Sequence, residues 1–529
     1  MDVASGFCGT RSLREDAAEA HKVASTARSL GRLAMPLTPL RLRLLVASLL
    51  TVSFLGALDH TVVSTSLATV AGELGALEHM SWVVVGYTLA STVLLPVLGK
   101  LGDVVGPRSI FLVSLVAFLA ASLACGFAPS MVWLIVGRVL QGMSSAGLQL
   151  MSQTIMAQVT TPRQRPRYMA IIGAAFPIAI LIGPVLGGLI TDFWGWQWIF
   201  WVNLPFGVAA LVLAVFAIPH IAPGARRSFD GAGAVTFTIA LVALVLAVTW
   251  LPDPGLRLGA LVATTIAVLA FAGFVLAEMR APEPIVPFRL LRNRTVGASI
   301  ALSAIIGVGI FSITAYLPTY FQMAYRTSAT VSGLVPIATV FGMLVSNLTT
   351  GHLASRTGRY RAFPILGTAL GAMGLVVMAA LPVGLPLWVP MLVMFVVGVG
   401  TGAFMSLIIT VVQSAVPSSE TGAITATTNL VRQIGATVTT AIIGGVVGFG
   451  VGALLPGGLD AASLTPQQVH GMDAATQLLV AGIYRDVFAP IFLALSAVYL
   501  VGFIAALMMP QGRLSDEHVS AAATEPLPA

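Results

Sequence analysis

From about residue 43 onward, apolar runs of roughly 20 residues alternate with short polar turns. At about 1.5 Å rise per residue, each run is long enough as a helix to cross a hydrocarbon core near 30 Å thick. The pattern gives fourteen candidate spans, at roughly 43–70, 80–100, 109–129, 131–158, 166–190, 198–218, 230–251, 256–278, 296–323, 330–354, 362–382, 386–412, 422–453 and 488–510. Inside lipid, backbone N–H and C=O groups must pair within the protein, which favours helices over open sheets. The alternating ten-residue strands of a porin-type barrel are absent from the sequence. The expected fold class is therefore an all-α polytopic membrane protein.

The polar remainder sets the organisation. Residues 1–40 are Arg-rich and lack the short apolar core and cleavage site of a secretory signal, so they read as a disordered cytoplasmic tail, with Met35 a second candidate start. With that tail inside, Lys100, Arg108, Arg163, Arg165, Arg167, Arg226, Arg227, Arg280, Arg289, Arg292, Arg294, Arg356, Arg359 and Arg361 fall on one side. Glu73, Glu78, Asp192, Asp253, Asp460 and Asp473 fall on the other, as the positive-inside rule requires of a cytoplasmic membrane. An even span count returns the second tail, 511–529, to the cytoplasm. Trp194, Trp196, Trp198 and Trp201 bracket one external turn, where an aromatic belt belongs. The long external connection, 455–487, contains Thr465-Pro466-Gln467-Gln468, which has the cap, first-turn proline and third-position glutamine of a helix start. Val469, Met472, Leu479 and Ile483 would give that helix one apolar face, fitting either a rim helix or a gating lid.

Composition narrows the function. Apolar residues are 57% of 529 and charged residues 9%, against about a quarter charged in a soluble domain. The net charge of +7 sits in loops between spans, a mark of topology rather than of nucleic-acid binding. Cys8 and Cys125 occupy different environments and do not suggest a disulfide. No phosphate loop, His-Glu-x-x-His or Gly-x-Ser-x-Gly occurs, and Gly398-x-Gly400-x-Gly402 lies in a span without the strand-turn-helix of a dinucleotide site. The chain reads as a transporter and not an enzyme, with no metal or cofactor implied.

Two loops repeat. Gly99-x-Leu101-x-Asp103-x-x-Gly106-x-Arg108 follows the second span, and Gly351-x-Leu353-x-Ser355-Arg356-x-Gly358-Arg359 follows the tenth. Six-span halves carry the loop in equivalent places only if two extra helices lie between them. The expected organisation is thus a bundle at 41–220, a two-helix insertion at 221–295 and a second bundle at 296–510, related as parallel repeats. Asp103 lies near a helix end, where it can bridge to Arg108 or to a neighbouring helix terminus.

With these loops the chain resembles the major facilitator superfamily, and within it the fourteen-helix drug:proton antiporters, over residues from about 43 to 510. The resemblance implies that Gly99, Asp103, Gly106 and Arg108 latch the cytoplasmic side during alternating access, more weakly at Gly351, Arg356, Gly358 and Arg359, where Ser355 replaces the aspartate. Arg138-x-x-Gln141-Gly142 looks like the family's intramembrane arginine motif, linked to proton coupling. Gly183-Pro184-Val185-Leu186-Gly187-Gly188 resembles the antiporter signature of the fifth span, with Ala179 where glycine is usual. Leu58-Asp59-His60-Thr61-Val62-Val63 resembles the motif of the fourteen-helix branch, with Ser64 and Ala68 in place of asparagine and proline. The tract Trp194 to Gly207 also looks familial, with Gln197 for a usual arginine. The same glycines have a packing reading, since small residues let helices approach in lipid. Gly444, Gly448 and Gly452 are expected to do only that.

Few ionisable residues fall deep inside spans: Asp59, His60, Arg138 and Arg432. Each costs about 2.5–3.5 kcal/mol at mid-bilayer on insertion scales, so such groups pair or face a cavity. Asp59 lies roughly 24 Å along its span from the cytoplasmic end and Arg138 roughly 10 Å below the external end of its own, so a pair is geometrically possible. Asp59 is the expected proton carrier and Arg138 its tuner, because a conformational change that alters a carboxylate's neighbouring charge or burial drives proton binding and release. His60 has an intrinsic pKa suited to proton transfer but points about 100° away from Asp59; the alternative is a polar residue that lines the cavity. Arg432, beside Gln433, can meet an anionic substrate group or pair with a backbone carbonyl. Gln141, Phe311, Tyr316, Tyr320 and Gln322 complete the candidate cavity. No acidic residue lies in the middle of spans nine to fourteen, which favours lipophilic neutral, monocationic or weakly anionic molecules over divalent cations. The expected activity is export of such small organic substrates in exchange for protons by a monomer in the lipid bilayer. Export of an endogenous metabolite or lipid, proton-linked uptake and a non-transporting receptor are the alternatives.

Overall fold

The computed structural model describes residues 38–74, 79–220, 230–250, 254–281, 288–455 and 466–516. Twelve described helices are long and apolar enough to cross a membrane, and two apolar stretches, Gly231–Ala247 and Arg294–Gly309, are shorter. These two stretches lie where the seventh and ninth spans were expected.

In the first half, α1 is Pro39–Leu74, α2 Met80–Val105, α3 Pro107–Gly126, α4 Met131–Val159, α5 Arg165–Gly173, α6 Ala175–Trp194, α7 Trp198–Trp201 and α8 Asn203–Ala217. Between the halves lie α9, Gly231–Trp250, α10, Arg257–Arg280, and the short α11, Phe288–Leu291. The second half comprises α12, Arg294–Ala324, α13, Ala329–Thr357, α14, Ala362–Ala380, α15, Trp388–Ser414, α16, Thr421–Leu454, α17, Pro466–His470, and α18, Ala474–Met508. Polar caps set several starts: Ser130 accepts from the Trp133 N–H, Asn293 from Thr295 and Ser328 from Val331. Gly106, at φ 100°, makes the turn between α2 and α3, and Gly358, at φ 70°, ends α13 in the left-handed region that favours glycine.

The helices form two bundles, and among the described residues the larger clusters that join them lie toward one face. Near the face carrying both repeated loops, Leu95, Met151 and Ile155 of the first half pack with Ile409 and Ala426 of the second. On the same face Phe176 packs against a second-half cluster containing Phe404, Ile408 and Leu514. Toward the opposite face the clusters belong to single halves, one around Val62, Val83 and Trp196, the other around Leu317, Tyr320, Phe321 and Phe488. The α9–α10 pair covers the seam between α2 and α16, where Phe237 and Phe274 meet Val93 and Leu430.

Three expectations about the face opposite the repeated loops change. The long external connection is shorter than 455–487, because α18 begins at Ala474, where Asp473 accepts from the Thr476 N–H at 3.0 Å. The Thr476 hydroxyl and N–H hold the exposed Asp473 carboxyl below the usual carboxylate range. Val469 and Ile483 are buried while Leu479 is exposed, so the expected apolar face is split between two helices; Thr465 lies outside the described residues. Of the four tryptophans, Trp194 and Trp198 are exposed, but Trp196 is buried and donates to Glu73 at 2.7 Å. On α16, Gly444 lies against the Tyr316 hydroxyl, whereas Gly448 faces open space.

Candidate functional site

Asp59 of α1 and Arg138 of α4 form an ion pair buried inside the first bundle, each 1% exposed. Arg138 Nη1 donates to Asp59 Oδ2 and also to Gln141 Oε1, at 2.8 Å in the second case. The other carboxylate oxygen, Oδ1, accepts from Gln141 Nε2 at 2.8 Å and from Asn203 Nδ2 at 3.1 Å. Ser122 of α3 accepts from both amides, at 3.2 and 3.0 Å, and donates to the Phe200 carbonyl at 2.8 Å. The Arg138 guanidinium lies 4.2 Å from the centre of the Tyr87 ring, a cation–π contact that adds attraction in a dry site. Four helices, α1, α3, α4 and α8, thus converge on one carboxylate. Gln141, expected in the cavity, is wholly buried here, because one turn of α4 places it beside Arg138.

His60, half-buried, points to α2, where Thr88 Oγ1 lies 3.5 Å from Nε2. One turn further, Thr92 donates to the Thr88 carbonyl at 2.8 Å and hydrogen-bonds Gln433 Oε1 of the second half. Next to Gln433, Arg432 is buried and donates to the Asn429 side chain at 2.7 Å, a side-chain amide partner among the described residues. Asn429 in turn donates to Gln153 of α4 at 2.7 Å. A polar track therefore runs from beside the Asp59 pair to the seam between the halves. Tyr316 and Gln322 are half-buried, and the Phe311 side chain lies outside the described residues. Tyr320 departs from expectation: it is 2% exposed, locked among Phe321, Tyr325, Phe488 and Phe492, and belongs to the core of the second half.

The repeated loops close one face. Asp103, at the end of α2, accepts the backbone N–H groups of Gly422 and Ala423, both at 3.0 Å, at the start of α16 in the other half. A carboxylate here meets the positive end of the helix and its unpaired donors. Gly99 lies so close to Gly422 and Ala426 that a Cβ would collide with Ala426. Arg108 donates to the Val215 carbonyl at 2.9 Å and hydrogen-bonds His220, at the end of α8. The second loop inverts the chemistry. Arg163, between α4 and α5, donates to the Ser355 and Arg356 carbonyls at the end of α13, at 3.3 and 3.1 Å, placing a cation at a helix C-terminus. A Cβ on Gly351 would collide with Ala170. The chain after α18 straps this face: Leu514 N–H donates to Gly358 O at 2.8 Å, Arg163 N–H to Ser515 O at 3.0 Å, and Arg163 pairs with Asp516 at 2.7 Å. Arg359 bridges to Arg513 in the same strap.

Against known proteins, residues 49–440 match the family model described as Major Facilitator Superfamily. The chain belongs to the major facilitator superfamily. Members of the superfamily are multi-pass membrane transporters and not enzymes, as the apolar helices and the site chemistry anticipated. The chain is 32% identical over 497 residues to an MFS-type transporter of Mycobacterium tuberculosis, covering 91% of this chain and 71% of that protein. It is 30% identical over 419 residues to the multidrug transporter protein MdtP of Bacillus subtilis, covering 78% of this chain and 76% of MdtP. It is also 30% identical over 451 residues to the acurin A biosynthesis cluster MFS-type transporter of Aspergillus aculeatus, covering 83% of this chain and 81% of that protein. The superfamily fold recurs in the human organic anion transporter MFSD10 (TETRAN), at TM-score 0.58 and 15% identity over 89% of this chain and all of that one. A bacterial homologue of the iron transporter ferroportin in an outward-facing state gives TM-score 0.60 at 14% identity, over 89% of this chain and 99% of that one.

Within this superfamily framework the fifth-span glycines have a visible task. A Cβ on Gly183 would collide with Thr61 Oγ1, and one on Gly187 with Thr65 Oγ1, so the two let α6 press on α1 two and six residues beyond Asp59. Gly188 faces open space and Pro184 is exposed. Sequence reasoning did not single out Asn203, Ser122, Arg163 or Asp516. Asn203 lay in the familial tract, and an amide at the start of an apolar run needs a partner, which was the available signal.

Proposed function

We propose that this transporter exports lipophilic organic molecules across the cytoplasmic membrane in exchange for protons, with 41–220 and 296–510 as the moving bundles and 221–295 as a fourteen-helix-type insertion. The observation that carries the proposal is the Asp59–Arg138 pair, the one ionisable carboxylate held deep in the first bundle among the described residues, adjoining a polar track to the seam. Breaking such a pair by moving one partner leaves an uncompensated buried charge, at about 3–5 kcal/mol. Proton uptake by Asp59 removes that penalty, so protonation and rearrangement are coupled. With the Arg-rich loops inside, closure at Asp103 and Arg163 is an outward-open state, in which substrate has left and a proton can arrive. His60 and Thr88 lead toward Asp59, while Gln433, Arg432, Tyr316, Gln322 and Phe311 are the residues for contact with substrate.

The name of MdtP supports drug-like substrates. The biosynthesis-cluster relative supports a second reading, export of a metabolite made by the same cell. The test of coupling is Asp59→Asn in inverted vesicles. The wild type should accumulate a fluorescent substrate when the lumen is acidified, and the variant, present in equal amount, should not. Unchanged accumulation would sink the proposal.

A further inference from the structure

The donors around Asp59 are not equivalent. Arg138 can only donate. Gln141 has an acceptor as well, but its Oε1 is already taken by Arg138 Nη1. Asn203 differs: Nδ2 donates to Asp59 Oδ1 and Ser122 Oγ, while Oδ1 is buried and accepts no hydrogen bond. Asn203 itself is 1% exposed, and an unpaired buried carbonyl costs about 1–3 kcal/mol. That unused acceptor sits on the same amide that touches the carboxylate.

We infer that Asn203 is a positioning residue that turns its amide as Asp59 changes protonation, donating through Nδ2 to the carboxylate and accepting through Oδ1 from the carboxylic acid. A half-turn about the terminal side-chain bond exchanges the two amide atoms, which have nearly the same size and reach. The proton arriving on Asp59 then has an acceptor about 3 Å away, within ordinary hydrogen-bond distance. Ser122 can follow, because its hydroxyl rotates to donate to the amide oxygen where it had accepted from the amide nitrogen. The orphaned group on Asn203 changes from a carbonyl to an NH2, and the Phe200 carbonyl gives up the Ser122 hydroxyl that it accepted before. Without this exchange, and while Arg138 still holds Gln141 Oε1, a proton on Asp59 Oδ1 would face only the Gln141 and Asn203 amide donors. The inference rests on the coupling reading above, since it requires Asp59 to take up a proton.

Infrared difference spectroscopy between acidic and alkaline pH, on the full chain in lipid, tests it without any substrate. A carboxylic-acid carbonyl band that disappears in Asp59→Asn identifies protonated Asp59. In Asn203→Leu this band should move to higher wavenumber, as for an acid that has lost its acceptor. In Asn203→Ser, whose hydroxyl both donates and accepts, it should return toward the wild-type position. A band unmoved in Asn203→Leu overturns the inference while leaving the coupling reading intact. Failure to find any Asp59 acid band removes the coupling reading and this inference with it. Should Asn203→Leu not fold, wild-type protein carrying ¹³C at asparagine side-chain carbonyls gives the same decision. An asparagine carbonyl band must shift at the pH where the Asp59 band appears, and a band constant through that pH overturns the inference.

Discussion

Asp103 and Gly422 belong to different halves of the chain, yet the carboxylate of the first accepts the backbone N–H of the second at 3.0 Å. The last turn of α2 is thereby tied to the first turn of α16, and in the proposed transport cycle this tie is one that must part. Asp103→Asn keeps an acceptor but loses the charge that favours a helix N-terminus. We expect the closed form to lose about 1–2 kcal/mol, a roughly five- to thirtyfold change in its ratio to the open form. Spin labels at Ser109 and Ser419, both exposed near this face, with Cys8 and Cys125 replaced, report it as a longer distance population that grows in the variant.

Arg138→Met removes the charge that Asp59 faces and leaves a buried carboxylate with only amide donors. A lowered thermal midpoint is expected, and the double variant Asp59→Asn/Arg138→Met should recover part of it, because the uncompensated charge is gone. Thermal unfolding followed by size-exclusion chromatography separates the two. Equal midpoints in the single and double variants would show that the charge is not what destabilises.

The fifth-span glycines give a contrast within six residues. Gly183→Val places a branched side chain against Thr61, where no space exists, whereas Gly188→Ala enters open space. Overpacking of this kind costs typically about 1–3 kcal/mol. Transport should fall sharply in the first variant and stay near wild type in the second, measured as flux per molecule at the membrane.

On the strap after α18, charge and burial make different predictions. The Arg163–Asp516 pair is exposed, with side chains 41% and 67% accessible, so Asp516→Ala should change closure by less than about 1 kcal/mol. Leu514 is buried against Tyr360, Ala354 and Met509. Leu514→Asp should release the strap, seen as faster hydrogen exchange at the Leu514 and Arg163 amides and a larger open population between the labels above.

Much of this was legible in the sequence because lipid leaves few choices. Runs of apolar residues marked most helices, and the depths of Asp59 and Arg138 along their spans made a pair geometrically possible, which the structure contains. The loop aspartate likewise found a helix terminus, one of its two expected partners. What the sequence could not show depended on which way a side chain turns. Gln141 and Tyr320 sit in apolar spans like any cavity residue, and only the surrounding helices decide that both are enclosed. The connection misled because Val469, Met472, Leu479 and Ile483 were read as one face of a single helix, whereas α18 already begins at Ala474 and packs Val480, Ile483 and Tyr484 into the core of its own half. Arg163 looked like one more loop cation, since its carbonyl acceptors lie nearly two hundred residues away.

The strap also carries a consequence for how the protein is made. Residues 513–516 leave the ribosome after every described helix, yet they hold Arg163, at the junction of the fourth and fifth spans, against the end of α13. During synthesis that arginine can meet the end of α13 as soon as the second half is made, whereas its bonds to Ser515 and Asp516 form only with the last described stretch of chain. A fusion partner or purification tag placed directly after Asp516 lies against this closure, so its linker length becomes a variable in any measurement of the resting state.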